Sequence, residues 1–300
     1  MKPLVILGIR ASAPSPTTIR ERKIKLSRRH FLIGSALAAA GAATRSRAAE
    51  RRIFDCHFHI IDHAFPIVPN EGYTPPQFSI EDYLAEAKPL GVRSGAVVSG
   101  SFQEFDQTYM KAALGRLGKG WVGVTQVPDD VPDHEIVELS GIGVRALRFN
   151  ILRGVTGSVD NIVSLAERAH AVGGWHAEFY ADAATLKPHV ARLSKLPQIA
   201  IDHLGMTEAG LPIVRDLAAA GAKIKATGFG RLKFDVGKAL ESIAAVRQDA
   251  LVFGTDMPST RAPRPFEPAD IDLVESVLGH DLAARVFWDN GRALYRVNTD

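Results

Sequence analysis

From Arg51 onward the chain carries eight short apolar runs, often closed by Gly, Asp or Pro and separated by amphipathic stretches. The runs are residues 53–60, 94–100, 121–127, 144–151, 175–181, 199–204, 223–227 and 250–256. Amphipathic helical patterns fall at 79–90, 105–117, 161–171, 183–193, 211–220 and 234–247. Apolar strands alternating with helices imply parallel pairing with crossover helices. Eight such units in about 250 residues predict an α/β fold, a (β/α)8 TIM barrel. An open doubly wound sheet would want a glycine-rich phosphate turn after the first strand, and Ile60-Ile61-Asp62-His63 is not one. Residues 270–296 read as a helix and a terminal segment that caps the barrel. The Pro- and Arg-rich stretch from Pro258 to Pro268 is expected to loop over the site mouth.

In a barrel, reactive groups sit at the C-terminal ends of strands. That rule aligns residues far apart in the chain. His57 and His59 end the first run, and their spacing of two places them on one strand face. Arg148 and Asn150 end the fourth. His176, Glu178 and Tyr180 share a face of the fifth, Asp202-His203 ends the sixth, Arg231 follows the seventh and Asp256 ends the eighth. A lone histidine near a strand end is usually a hydrogen-bonded core residue, but several polar groups converging on one rim point to chemistry. His63, His134, His170, His189 and His280 lie in predicted loops or on helix faces and are read as structural or surface residues. The one cysteine, Cys56, excludes an intrachain disulfide and is read as a small buried hydrophobe.

The leader has a different composition. Residues 1–48 hold ten Lys/Arg and one acid, a net of +9, so the formal +3 of the whole chain leaves the body at −6. A mildly acidic body argues against nucleic acid as a partner. Ser27-Arg28-Arg29-His30-Phe31 introduces an apolar stretch too short for a bilayer span, closing on Ser46-Arg47-Ala48. Residues 1–48 therefore resemble a twin-arginine-type signal peptide, and 49–300 form a single domain. The expectations are cleavage near Ala48, the twin-arginine export machinery as partner, a periplasmic location and no stable membrane anchor.

The strand-one histidine pair, Asp202-His203-Leu204-Gly205 and Gly254-Thr255-Asp256-Met257-Pro258 resemble the amidohydrolase superfamily in its amidohydrolase-related branch. With Arg148-Phe149-Asn150, Trp175-His176, Tyr180 and Lys225-Ala226-Thr227 through Arg231, they are similar to the 2-pyrone-4,6-dicarboxylate lactonase-like hydrolases. The resemblance spans most of residues 51–296. It implies a hydrolase that opens a lactone or related cyclic ester of a small carboxylated substrate. Asp256 would be the general base, with partial burial raising its pKa. His57, His59 and His203 would polarise the carbonyl. Arg148 and Arg231 would hold substrate carboxylates, with Asn150 and Tyr180 beside them. No metal is favoured, because strand four ends on Arg148 and Asn150 rather than a bridging lysine or glutamate. If a divalent ion (zinc or manganese) is present, its ligands are His57, His59, His203 and Asp256. The chain departs from the lactonase pattern in Met257-Pro258-Ser259 and in the position of Arg153. Competing readings are a metal-dependent decarboxylase of an aromatic or muconate-like acid, a C–N bond amidohydrolase and a non-catalytic periplasmic binding barrel.

Overall fold

The computed structural model describes residues 51–154 and 157–298. The leader, with its signal peptide and cleavage site, lies outside the described residues. Eight strands form one sheet in sequence order, every neighbouring pair parallel. They are β1 (Ile53–Phe58), β2 (Val92–Val98), β3 (Trp121–Thr125), β4 (Val144–Phe149), β5 (His176–Phe179), β6 (Ile199–Ile201), β7 (Lys223–Ala226) and β8 (Leu251–Phe253). The intervening helices are α1 (Ile80–Ala87), α2 (Thr108–Leu117), α3 (Asp133–Gly141), α4 (Val159–Gly173), α5 (Val190–Leu193), α6 (Leu211–Ala219) and α7 (Val236–Val246). All eight predicted strands are present, so the (β/α)8 barrel stands. Their predicted C-terminal ends run past the hydrogen-bonded ladder, because those polar residues have left the sheet for the rim.

The barrel closes between β1 and β8 just beyond the regular strands. The Asp256 amide donates to the His57 carbonyl at 2.7 Å, and the His59 amide donates to the Met257 carbonyl at 2.8 Å. Gly254 makes this approach possible, since a Cβ there would lie 2.7 Å from the His57 backbone nitrogen. Buried Asp55 fastens the same seam. Its carboxylate accepts from the Thr255 amide at 2.9 Å, the Thr255 hydroxyl at 2.7 Å and the Tyr83 hydroxyl of α1 at 3.0 Å. Burial outweighs these bonds and pushes Asp55 up to about 6.

Two apolar layers result. The larger fills the space between sheet and helices, with Phe58, Tyr83, Met110, Leu147, Ile224 and Ile243 among its members. The smaller occupies the barrel interior around Phe54, Cys56, Val98, Val124, Val252 and Tyr295. The β1–β2 register is irregular between Asp55 and Phe58. The irregularity re-aims the strand: Cys56 packs in the interior below the site, while Phe58 stacks on Tyr83 with centroids 3.7 Å apart. Simple alternation from His57 would have put Cys56 on the other face.

The tail is helical. Helix α8 (Pro268–Leu278) is followed by α9 (His280–Ala284), a wide π turn (Arg285–Asp289) and α10 (Asn290–Tyr295). The Asn290 amide group donates to the Leu251 carbonyl at 2.8 Å, and the Tyr295 ring stacks on Phe54 with centroids 5.5 Å apart. The tail thus caps the barrel at the end away from the rim.

Candidate active site

Each nominated residue reaches the rim by a local device. His59 leaves β1 with its Nδ1 2.7 Å from the Val98 carbonyl. A carbonyl can only accept, so Nδ1 carries a proton, and Nε2 is turned toward the site. His203 and Asp256 both sit in the left-handed backbone region, at φ 50° and 61°. Non-glycine residues seldom adopt it, and such strain clusters at functional positions. Gly228 leaves room for the His203 ring, since a Cβ there would fall 2.5 Å from Nδ1.

These turns bring four side chains together. Asp256 Oδ1 lies 3.8 Å from His57 Nε2, 3.6 Å from His59 Nε2 and 4.0 Å from His203 Nε2. The other oxygen, Oδ2, accepts from Arg231 Nε at 2.7 Å and lies 2.6 Å from its terminal nitrogen. Oδ1 of Asp256 and Nε2 of His57 are buried without a hydrogen-bond partner. Burial by itself would raise the Asp256 pKa, the direction expected from the sequence. Arg231 and the histidines outweigh burial, and the carboxyl is held well below the usual range. It is therefore ionised at neutral pH. Burial lowers His57 well below its ordinary value and brings His203 to about 4, so both rings are neutral.

Arg148 and Arg231 are already engaged. Arg148 Nε and one terminal nitrogen donate to Asp202 Oδ2 at 3.1 and 3.0 Å, and the other donates to the Ser99 carbonyl at 2.7 Å. Both arginines also line the cavity over the four converging groups, with Asn150, Tyr180, Phe102 and Thr260. Asn150 presents a buried, unpartnered Oδ1. The Tyr180 ring lies edge-on to His203 at 5.2 Å and 5.0 Å from the Arg148 guanidinium. The cavity offers about 30 Å³, room for one water-sized group. A larger apolar-walled cavity of about 310 Å³ lies by Arg51, Phe287 and Trp288 and touches none of these residues.

A deeper ionic layer supports the site. Lys225 of β7 is fully buried and bonds Glu178 Oε2, lies 3.3 Å from His57 Nδ1 and 3.5 Å from Asp202 Oδ1. Glu178 Oε1 also accepts from the Tyr295 hydroxyl at 2.6 Å and faces His176 Nε2 at 2.9 Å. Burial would raise Glu178 and Asp202, but Lys225 above all brings both below the usual carboxylate range. Lys225 is a site-supporting residue that sequence reasoning missed. Its signal was a lysine amid the apolar residues of a strand, which must be paired if buried. His176 belongs to this lower layer and not to the rim. The histidines set aside from the sequence fall elsewhere: His63 faces the Pro75 carbonyl, His170 the Trp175 carbonyl and His280 the Glu275 carboxylate.

The donor set fits a divalent cation. His57, His59 and Asp256 offer ligand atoms within 4.8 Å of one another, and the unpartnered His57 Nε2 and Asp256 Oδ1 lie 3.8 Å apart. His203 stands beside them. An ion held there would polarise a carbonyl and acidify a bound water.

A barrel with paired histidines on its first strand, a histidine after the sixth and an aspartate after the eighth defines a hydrolase-type metal or water site. The chain belongs to the amidohydrolase family, which matches residues 54–297. It is 30% identical over 289 residues to a 4-sulfomuconolactone hydrolase of Rhizobium radiobacter, covering 86% of this chain and 94% of that protein. It is 29% identical over 156 residues to a 2-pyrone-4,6-dicarboxylate hydrolase of Comamonas testosteroni, covering 50% and 51%. A crystal structure of an Agrobacterium tumefaciens protein superposes with a TM-score of 0.73 at 22% identity, covering 84% of this chain and 98% of that one.

Proposed function

We propose that the protein opens a lactone or related cyclic ester of a small acidic substrate by attack of water. One observation carries this reading. His59 Nε2 and Asp256 Oδ1 face each other across 3.6 Å, and Oδ1 is a buried carboxylate oxygen without a hydrogen-bond partner. A single water that donates to Oδ1 satisfies it while turning a lone pair outward. Asp256 takes the water proton as general base, and that proton passes to the ring oxygen as the acyl C–O bond breaks. Arg231 holds the carboxylate in place. His203, which lines the cavity, steadies the developing oxyanion, with His57 buried beneath it. Asn150 and Tyr180 orient the substrate, and Arg148 and Arg231, each paired with a buried carboxylate, line the cavity beside it. Two curated relatives are named for lactone and pyrone substrates bearing sulfo or carboxylate groups, which supports an acidic ring as substrate.

On this reading no resident metal is needed. The orphaned His57 Nε2 and Asp256 Oδ1 favour a second reading, in which one zinc or manganese ion sits on His57, His59 and Asp256. Elemental analysis of purified protein, with lactone hydrolysis assayed before and after chelation, separates the two. Chelator-resistant turnover at near-zero metal supports the first; one ion per chain with loss on chelation supports the second. No turnover across carboxylated and sulfonated lactones, with or without added metal, overturns lactone hydrolysis itself.

Export through the twin-arginine route, with the mature domain in the periplasm, completes the reading. Its support is Arg28-Arg29 ahead of an apolar stretch that ends on Ser46-Arg47-Ala48. Among the described residues no helix is long and apolar enough to cross a membrane. A fusion of residues 1–48 to a folded reporter tests this, and retention in the cytoplasm would sink it.

A further inference from the structure

We propose that Arg153 and Arg261 form a second anion clamp, for an acidic group on the outward side of the substrate, and that Glu71 occupies this clamp and gives way to that group. The inference rests on the lactone reading and adds the mouth to it. Arg153 follows β4 and Arg261 follows β8, yet both reach the same oxygen. Their terminal nitrogens lie 2.8 and 2.9 Å from Glu71 Oε2. Both arginines also line the cavity that His59, Arg148 and Asp256 line. The deeper arginines are matched to buried carboxylates, Arg148 to Asp202 and Arg231 to Asp256. At the mouth, two guanidinium groups share one carboxylate.

The contact is built for exchange. The Glu71 side chain is 58% exposed, while those of Arg153 and Arg261 are 24% and 16% exposed. The arginines belong to the wall, and the carboxylate enters from solvent. Exposed ion pairs of this kind are weak, so a ligand anion held also by the deeper site competes well. Glu71 sits at the tip of a strap after β1, at φ 51°, where Asn70 and Tyr73 bridge across it. The Tyr73 ring supports the Arg261 guanidinium at 4.7 Å, which keeps the clamp in shape without the glutamate. A ring substrate that reaches Asp256 passes between these arginines, since both line the cavity above it and Arg153 also lines a neighbouring cavity of about 570 Å³. The Glu71 contact is exposed enough to yield to it.

The test is calorimetric binding of benzoate, isophthalate and 3-sulfobenzoate to the full chain, its E71Q variant and its R153M/R261M variant. The two dianions add a carboxylate or a sulfonate to the same ring and report which oxyanion the clamp prefers. We expect both to bind more tightly than benzoate. E71Q widens that preference by about threefold, the size of one exposed pair. R153M/R261M narrows it by about tenfold, as loss of charge-assisted bonds requires. R153M alone, with a smaller narrowing, serves if the double variant does not fold. An unchanged preference in E71Q, a retained one in the arginine variants, or no binding of any probe to the parent overturns the clamp. Probe binding with these ratios but no lactone turnover would overturn the lactone reading and leave the clamp standing. Turnover with unchanged selectivity in E71Q would do the reverse.

Discussion

Arg231 grips only one oxygen of Asp256. Two of its nitrogens meet Oδ2 at 2.7 and 2.6 Å, so Oδ1 is left facing the histidines. The guanidinium therefore does two things. It keeps the buried carboxyl ionised, and it fixes which oxygen is available to accept a proton.

Asp256→Asn tests the second role. The amide keeps the shape but cannot accept a proton from water. Lactone turnover should fall by about 10²–10⁴-fold, the range of a lost general base. Binding of a non-hydrolysable carboxylated ring should persist. A variant within tenfold of the parent would remove Asp256 from the base role, while equal ligand binding with no turnover in either protein would favour a binding barrel.

Stability should fall with acid over a defined window. The His203 pKa is lowered to about 4 from its ordinary 6.5, and burial lowers His57 well below its ordinary value too. A histidine with a depressed folded pKa contributes stability that is present above the unfolded value. That stability is lost as pH falls through 6.5 toward the folded value, since the unfolded chain binds the proton first. A tenfold difference in proton affinity between the folded and unfolded chain is worth ~1.4 kcal/mol. A loss of a few kcal/mol is therefore expected from His203 alone between pH 7 and pH 4. Asp55, raised to about 6, gains stability over the same acid range, so denaturant melts at pH 7.5 and 4.5 read the His203 share as the difference between the parent and His203→Gln. An identical pH dependence in the two proteins would refute the buried neutral state of the His203 ring.

Lys225 should matter for folding first. It is the cation at the centre of Glu178, Asp202 and His57, all fully buried. Removing one partner of a buried ion pair leaves an uncompensated charge and costs about 3–5 kcal/mol. Lys225→Met should therefore lower the melting temperature strongly, and Lys225→Met with Glu178→Gln should recover part of it. Absence of any recovery in the double variant would show that the two groups are not coupled.

The eight strands were legible because parallel barrel strands are buried on both faces and read as apolar runs. The rim residues were legible by position: His57 and Arg148 stand one residue from the ends of their strands, and His59, Asn150, Tyr180, His203, Arg231 and Asp256 follow strand ends. What spacing could not give was pairing. Arg148 meets Asp202 from 54 residues away, and Lys225 lies beside His57 from 168 away. A side chain's type is local, but whether its charge is free for substrate depends on such distant partners. The same holds for Asp256, whose pKa moves opposite to the direction burial alone would give. The seam role of Asp55 was hidden in a run that reads simply as strand.

Gly228→Ala addresses the site through sterics alone. The residue has φ 64°, where a Cβ is strained, and that Cβ would lie 2.5 Å from His203 Nδ1. Strain by itself destabilises by about 1 kcal/mol or somewhat more. The ring must also move, and His203 is 4.0 Å from Asp256 with no bond on Nδ1 to hold it in place. Turnover should fall by about 10²-fold, the effect of a misplaced catalytic group about an ångström from its position, while the melting temperature drops by only a few degrees. Because Gly228 has no side chain to contact substrate, the loss would report the placement of His203 and of Arg231, whose Cδ the new Cβ would approach to 3.2 Å. Parallel kinetics of Gly228→Ala and His203→Ala decide the matter: similar loss of kcat in both supports it, and full activity in Gly228→Ala shows that the His203 ring position is not needed for the reaction.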